Sequence, residues 1–204
     1  MKIPKIVFQT SKNKPEQYIV DKILEKCYNW KYIHYNDEEA IRFFNENYIE
    51  EFKDIVTKFN QMPSGPHKSD LFRYYHLYIT GGVYIDYDAM IEINIENIVK
   101  DYTFFSVNSI VRNTIFQGFI GSTPKNIIIY KALVDAYNID IQKLSSYYHL
   151  LCYNLYNIIQ NNKSDDIIHL YREKYRNGCD FAETFNENNE SILKHYFKFK
   201  IIPK

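Results

Sequence analysis

The residues best placed to do chemistry are Asp86 and Asp88, at the end of the run SDLFRYYHLYITGGVYIDYD that begins at Ser69. They close a short apolar stretch, and side chains at i and i+2 of an extended chain face the same side. Two carboxylates so placed form a hard-oxygen site that suits Mg²⁺ or Mn²⁺, with substrate phosphates completing the shell. A divalent ion there would offset the charge of a departing diphosphate, which bare carboxylates would repel. Asp70 and Arg73 lie three apart in a helical pattern and share a face. Asp70 can accept hydrogen bonds from sugar hydroxyls, and the planar guanidinium of Arg73 can bind a carboxylate, a phosphate or a hydroxyl. Gly81 and Gly82 join that helix to the acidic strand by a sharp reversal. Each feature alone is common: a lone pair of spaced aspartates, a surface ion pair, a turn. Their order and spacing together are not.

The elements that must position these residues alternate between strand-like and helix-like apolar patterns, which points to an α/β fold. Residues 3–9 read as a buried strand. A helix follows Pro15, with Val20, Ile23, Leu24 and Cys27 as its apolar face. Residues 30–35 read as a second strand, and Asp37 as the N-cap of a helical stretch that breaks near Asn47 and runs to about Phe59. Residues 62–66 are a loop signal. A helix over 67–79 ends at the two glycines, and a strand over 83–86 leads into the acidic pair. Strands are expected at 103–107 and 114–120, and helices at 124–137 and 145–160. In the tail, residues 186–189 separate two β-like runs and predict a small hairpin.

The 204 residues suffice for one domain, and no linker or repeat divides them. Twenty-five basic side chains balance 25 acidic ones, which argues against a nucleic-acid binder. Three distant cysteines, Cys27, Cys152 and Cys179, show no zinc spacing and suit a reducing compartment. The first residues contain no signal-like apolar run, and no stretch approaches the length of a membrane span. The expectation is a soluble, cytoplasmic protein.

Ser69, Asp70, Arg73, Tyr74, Gly81, Gly82, Tyr84, Asp86 and Asp88 resemble the signature of glycosyltransferases with a DxD sugar-binding motif. The family is typified by the yeast initiating α-1,6-mannosyltransferase and is related to the clostridial glucosylating toxins. The opening IPKIVFQT is similar to the family's first strand, and IFQGFIGSTPKN to a later block, so the resemblance covers residues 1 to about 137. It implies a GT-A-like fold, a Rossmann-like mixed sheet flanked by helices. It also implies a UDP- or GDP-sugar donor, a divalent metal (Mn²⁺ or Mg²⁺) and transfer of a hexose with retention of configuration. The acceptor would be a glycan, a protein or a lipid-linked saccharide. By position, Asp88 would ligate the metal, Asp86 would contact the ribose or sugar and assist, and Asp70 and Arg73 would hold the transferred sugar. Arg73 would also stabilise the departing diphosphate. Gln9 and Thr10, past the first strand, would lie near the nucleotide, and Tyr84 among the donor-binding residues, although its alternation with Val83 and Ile85 reads as core. A third metal ligand from the C-terminal segment is usual in this fold class, and His195 is the candidate. Lys194, Lys198 and Lys200 form a basic tail that could attract the diphosphate. The other five histidines show no ligand spacing. Phe8 stands where the family has His, Ser11 where a Trp is common, and Gln117 where Asn is usual. The rival readings are a metal-dependent phosphohydrolase and a non-catalytic nucleotide-sugar-binding module.

Overall fold

The computed structural model describes residues 2–175, 178–197 and 202. In chain order the elements are β1 (Ile6–Thr10), α1 (Gln17–Lys26), β2 (Lys31–Tyr35), α2 (Asp37–Glu46), a 3₁₀ turn (Glu50–Phe52), α3 (Ile55–Gln61) and α4 (Gly65–Thr80). There follow β3 (Gly82–Ile85), β4 (Ala89–Ile91), α5 (Glu96–Val99), β5 (Phe104–Asn108), β6 (Ile115–Ser122), α6 (Ile127–Asn138), α7 (Ile141–Ser146) and α8 (Leu150–Gln160). The last are β7 (Ile168–Tyr175), β8 (Phe181–Phe185) and β9 (Ser191–Tyr196).

Among the described residues, nine strands join one mixed sheet in the order β2-β1-β3-β6-β5-β7-β8-β9-β4. The β1–β2, β1–β3 and β5–β7 pairs are parallel and the rest antiparallel. Strand alternation sorts the core into two layers. Phe8, Tyr84, Phe104 and Ile120 pack under α2, α3, α4, α6 and α8. Val7, Val83, Ile85, Phe105 and Phe119 face the other way, toward α1, α5 and the inner side of β4 and β9.

One feature of this order decides where the site lies. β3 and β4 are consecutive in the chain, joined by residues 86–88, yet β4 is six strands from β3 in the sheet. Six spacings of a flat sheet would span about 29 Å. The four Cα steps from Ile85 to Ala89 reach at most about 15 Å. The sheet therefore curls until its far edge returns to β3, and β9, paired with β4, comes with it: Ala89 is in register with His195.

Local chemistry fixes the boundaries and corrects several expectations. β1 begins at Ile6, not at Ile3, and its last residues are Gln9 and Thr10. In α1 the buried face is Ile19 and Ile23, continuing to Cys27; Leu24 is exposed. The cap of α2 is Asn36 rather than Asp37, because Asn36 and Glu39 close a reciprocal capping box. Asp37 sits in the first turn and pairs with Lys68 at 2.6 Å. Gly65 and Pro66, expected in a loop, form the first turn of α4 behind the N-cap Ser64. Gly81 and Gly82 both have positive φ, and a Cβ on Gly82 would lie 2.7 Å from the Ile6 carbonyl oxygen. The helix at 145–160 is instead two helices broken at residues 147–149. β4, α5 and β7 were not foreseen.

Candidate active site

The two aspartates do not sit on an extended strand. They lie in the β3–β4 turn, closed by the Ala89 amide donating to the Asp86 carbonyl at 3.0 Å. Their convergence comes from the turn and from what grips it. The Asp86 amide donates to Gly118 O on β6 (2.8 Å), and Gln9 Nε2 donates to the Asp86 carbonyl (3.0 Å). The Gln9 amide oxygen in turn accepts from Tyr32 Oη at 2.8 Å. Gln9 is fully buried and lies behind the turn, committed at both ends; it does not line the cleft. Thr10 does line it, 3.0 Å from Tyr84 Oη and donating to Ser69 Oγ at 2.9 Å.

The cleft has a volume of about 1280 Å³ and is walled by the ends of β1, β3 and β6, by α4 and by β7 and β9. α4 is buried on nearly all sides, which places Asp70 and Arg73 inside the protein rather than on a solvated face. The Arg73 guanidinium lies over the Tyr84 ring, 4.1 Å from its centroid. It donates to Gln117 O (2.5 Å) and Ser69 O (3.2 Å), and reaches Asp70 Oδ1 (3.3 Å) and Asp86 Oδ1 (3.4 Å). Burial would discharge it, but Tyr84, Asp70 and Asp86 hold its pKa above the usual value. Burial pushes the Asp70 carboxyl up against the pull of Arg73. Tyr84 Oη donates to Asp86 Oδ1 at 2.7 Å, and burial keeps this phenol protonated. The ring of Tyr84 is core, as its alternation with Val83 and Ile85 predicts, and its hydroxyl orients the Asp86 carboxylate.

His195 comes from β9, the strand that the curl brings home. Its Nε2 lies 3.6 Å from Asp88 Oδ1, its Nδ1 lies 3.8 Å from Glu173 Oε1, and its ring stacks on Phe116 at 4.5 Å. One ligand atom from each of Asp86, Asp88 and His195 falls within 4.8 Å of the others, a group able to hold a metal ion. The donor set fits a hard divalent cation: two carboxylates and one imidazole. So does its electrostatics. Burial first, and then Asp86, push the Asp88 carboxyl up to about 6, a penalty that a cation would relieve. Burial works against a charged His195, but Glu173, Asp88 and Asp86 raise its pKa overall.

The basic tail does not gather at the cleft. Strand alternation sends Lys194 to the opposite side of β9 from His195, where it bonds Glu92 at 2.8 Å; Lys198 and Lys200 lie outside the described residues. His149, one of the histidines without ligand spacing, lines the cleft with Tyr148 and Cys152. His67 accounts for their approach, with its Nε2 3.0 Å from Tyr148 O. Sequence reasoning missed Glu173, Phe116 and Gly118. A lone glycine in a strand marks a close approach, and Gly118 carried that signal, since a Cβ there would collide with Asp86 Oδ2 and the Phe116 ring. Glu173, in an alternating polar strand, carried none.

The fold is that of a GT-A-like mixed α/β protein, a curled mixed sheet flanked by helices. The solved structure of the PaToxG glycosyltransferase is similar to it with a TM-score of 0.57 at 14% identity, covering 76% of this chain and 67% of that one. Residues 13–105 match the family described as the glycosyltransferase sugar-binding region containing the DXD motif. Inositol phosphoceramide mannosyltransferase 1 of Schizosaccharomyces pombe is 28% identical over 141 residues, 65% of this chain and 42% of the relative. The mannosyl phosphorylinositol ceramide synthase SUR1 of Saccharomyces cerevisiae is 30% identical over 135 residues, 64% of this chain and 34% of the relative. The chain thus spans less than half the length of these curated relatives. No described helix is long and apolar enough to cross a membrane.

Proposed function

We propose that this chain moves a hexose from a UDP- or GDP-sugar to an acceptor, with retention of configuration and with Mn²⁺ or Mg²⁺ held by Asp86, Asp88 and His195. One observation carries the reading: the two carboxylates of the β3–β4 turn meet the β9 imidazole at a cleft inside the matched glycosyltransferase fold. The ion, when bound, supplies positive charge beside a departing diphosphate. The protein's own part is positional. Asp70 accepts hydrogen bonds from hydroxyls of the donor sugar. Arg73, Tyr84 and Thr10 hold the Asp86 carboxylate in place, and Gln9 fixes the turn from behind. Residues 1–204 act as one unit, and the three free cysteines favour a reducing, cytoplasmic setting. The acceptor is a glycan, a protein or a lipid-linked saccharide. The yeast relatives' names place mannose first among sugars to try and an inositol phosphoceramide first among acceptors.

The test is a thermal-shift screen of nucleotide sugars with and without Mn²⁺. A ligand at a hundred times its Kd adds about 2.7 kcal/mol, roughly 5–10 °C for a chain of this size. One sugar nucleotide gives a shift that requires metal, and Asp88→Asn abolishes the metal-dependent part. The proposal fails if no UDP- or GDP-sugar does so, or if Asp88→Asn leaves that part intact. Release of nucleotide with no preference for the sugar would mark a phosphohydrolase, and binding without turnover a binding module.

A further inference from the structure

Glu173 sits at the hinge of two parts of the cleft, and no role for it follows from the motif. It lies on β7, opposite Thr184 of β8, and its side chain is only 5% exposed. Oε2 accepts from Ser109 Oγ (3.0 Å) and from the Ile110 amide (3.1 Å), tying down the loop between β5 and β6. Oε1 faces His195 Nδ1 at 3.8 Å, an ion-pair separation that a small rotation of the ring converts to a hydrogen bond. Phe116 covers one face of that ring, and Nε2 is the nitrogen that faces Asp88. A carboxylate on the far nitrogen of a ligating histidine fixes which nitrogen carries the proton and how the ring is aimed.

We infer that Glu173 is the positioning residue of the metal site: it holds the proton of His195 on Nδ1, leaving Nε2 bare toward Asp86 and Asp88, and anchors the 109–110 loop with its other oxygen. The inference rests on the metal reading above. The chemistry of the replacement makes it sharp. Three donors converge on Glu173: the Ser109 hydroxyl, the Ile110 amide and His195 Nδ1–H. A carboxylate has oxygens for both sides, whereas the glutamine of Glu173→Gln has one. Two donors on the loop side claim that oxygen, so the amide NH₂ faces His195 and forces its proton to Nε2, the metal-facing atom.

Two measurements test it on the full chain. The first needs no variant: ¹⁵N-histidine NMR of the metal-free protein, with the pH raised until the His195 signals stop moving and its imidazole is neutral. The expected spectrum places the His195 proton on Nδ1; a proton on Nε2 overturns the inference. The second compares Mn²⁺ affinities by titration calorimetry. Glu173→Gln is expected to weaken Mn²⁺ binding about 10- to 100-fold and to move the ¹⁵N signature to the other tautomer. Ser109→Ala, which removes one loop tether and leaves the carboxylate, changes neither. Glu173→Gln with unchanged affinity, beside a His195→Ala variant that loses it, overturns the role of Glu173 alone. Absence of Mn²⁺ binding in the unaltered protein overturns the metal reading, and the NMR result then still decides whether Glu173 sets the tautomer.

Discussion

Replacing Gly118 by alanine probes the site with a single methyl group. Gly118 sits on β6 with its missing side chain aimed at Asp86 Oδ2 and at the edge of the Phe116 ring. A Cβ there overlaps both, against ordinary contact distances of about 3.5–4 Å, so both must give by more than about 1 Å unless the strand itself shifts. Neither is free to move alone. Asp86 is held by Tyr84 Oη at 2.7 Å, by Arg73, and by backbone bonds to Gly118 and from Gln9. Phe116 is stacked on His195. Movement of Asp86 displaces a proposed metal ligand directly, and movement of Phe116 disturbs a second, His195, through the stacked rings. A misplacement of this size costs about 10²-fold in turnover, and overpacking costs about 1–3 kcal/mol of stability. Gly121→Ala is the control. Its Cβ would overlap Phe105 in the second core layer, away from the turn, and so shares the overpacking but not the site. The assay pairs Mn²⁺ affinity and sugar-transfer rate with the melting temperature of each variant. Loss of stability in both, with loss of metal affinity and turnover only in Gly118→Ala, is the expected result. If Gly118→Ala keeps both to within about threefold while melting early, the geometry of Asp86 does not govern the site.

Asp88→Asn is expected to stabilise the metal-free protein above about pH 6. The folded state holds this carboxyl at about 6 against an ordinary 3.8, so ionising it opposes folding once the pH exceeds 3.8, with the full penalty present above 6. The group is over a third exposed, so screening leaves on the order of 1 kcal/mol, readable as a higher melting temperature in chelator that vanishes near pH 4. Arg73→Ala strands Asp70 and Asp86 without their cation and is expected to cost about 3–5 kcal/mol in denaturant titration. Arg73→Lys rescues little, because one ammonium cannot serve two carboxylates and two carbonyls. His76 is buried between Phe8 and Phe43, and burial pushes its pKa down to about 3. A depressed histidine contributes stability that is present above its unfolded pKa of about 6.5 and is lost as the pH falls toward 3, up to about 5 kcal/mol in all. His76→Phe flattens that acid limb of the stability–pH curve; an unchanged limb would contradict the assignment.

The motif, the α/β alternation and the terminal hairpin were legible because each is local. Two glycines with positive φ, a helix with Asp70 and Arg73 on one face, and Asn186 to Asn189 between two β-like runs declare themselves within a few residues. What was not legible depends on distance along the chain. β4 is three residues long, too short to alternate visibly, and exists because β9 pairs with it. The resemblance sets Gln9 near the nucleotide, whereas the partners that hold its side chain, Tyr32 and the Asp86 carbonyl, are 23 and 77 residues away. Lys194 looked like part of a positive cluster because charge was counted along the tail, where alternation sends it and His195 to opposite sides.

The curl of the sheet has a consequence for how the protein comes to be. Asp88 and His195 are separated by just over half of the chain, and closing a loop of that length carries an entropic cost of about 4 kcal/mol. A chain still emerging from the ribosome holds the acidic turn long before it holds the imidazole, so the centre is assembled only when β9 docks. The cation proposed there would fasten the β8–β9 hairpin to the middle of the molecule. Manganese is therefore expected to shield that hairpin from proteases more than it shields β1 and β2, which are joined by local pairing from the start.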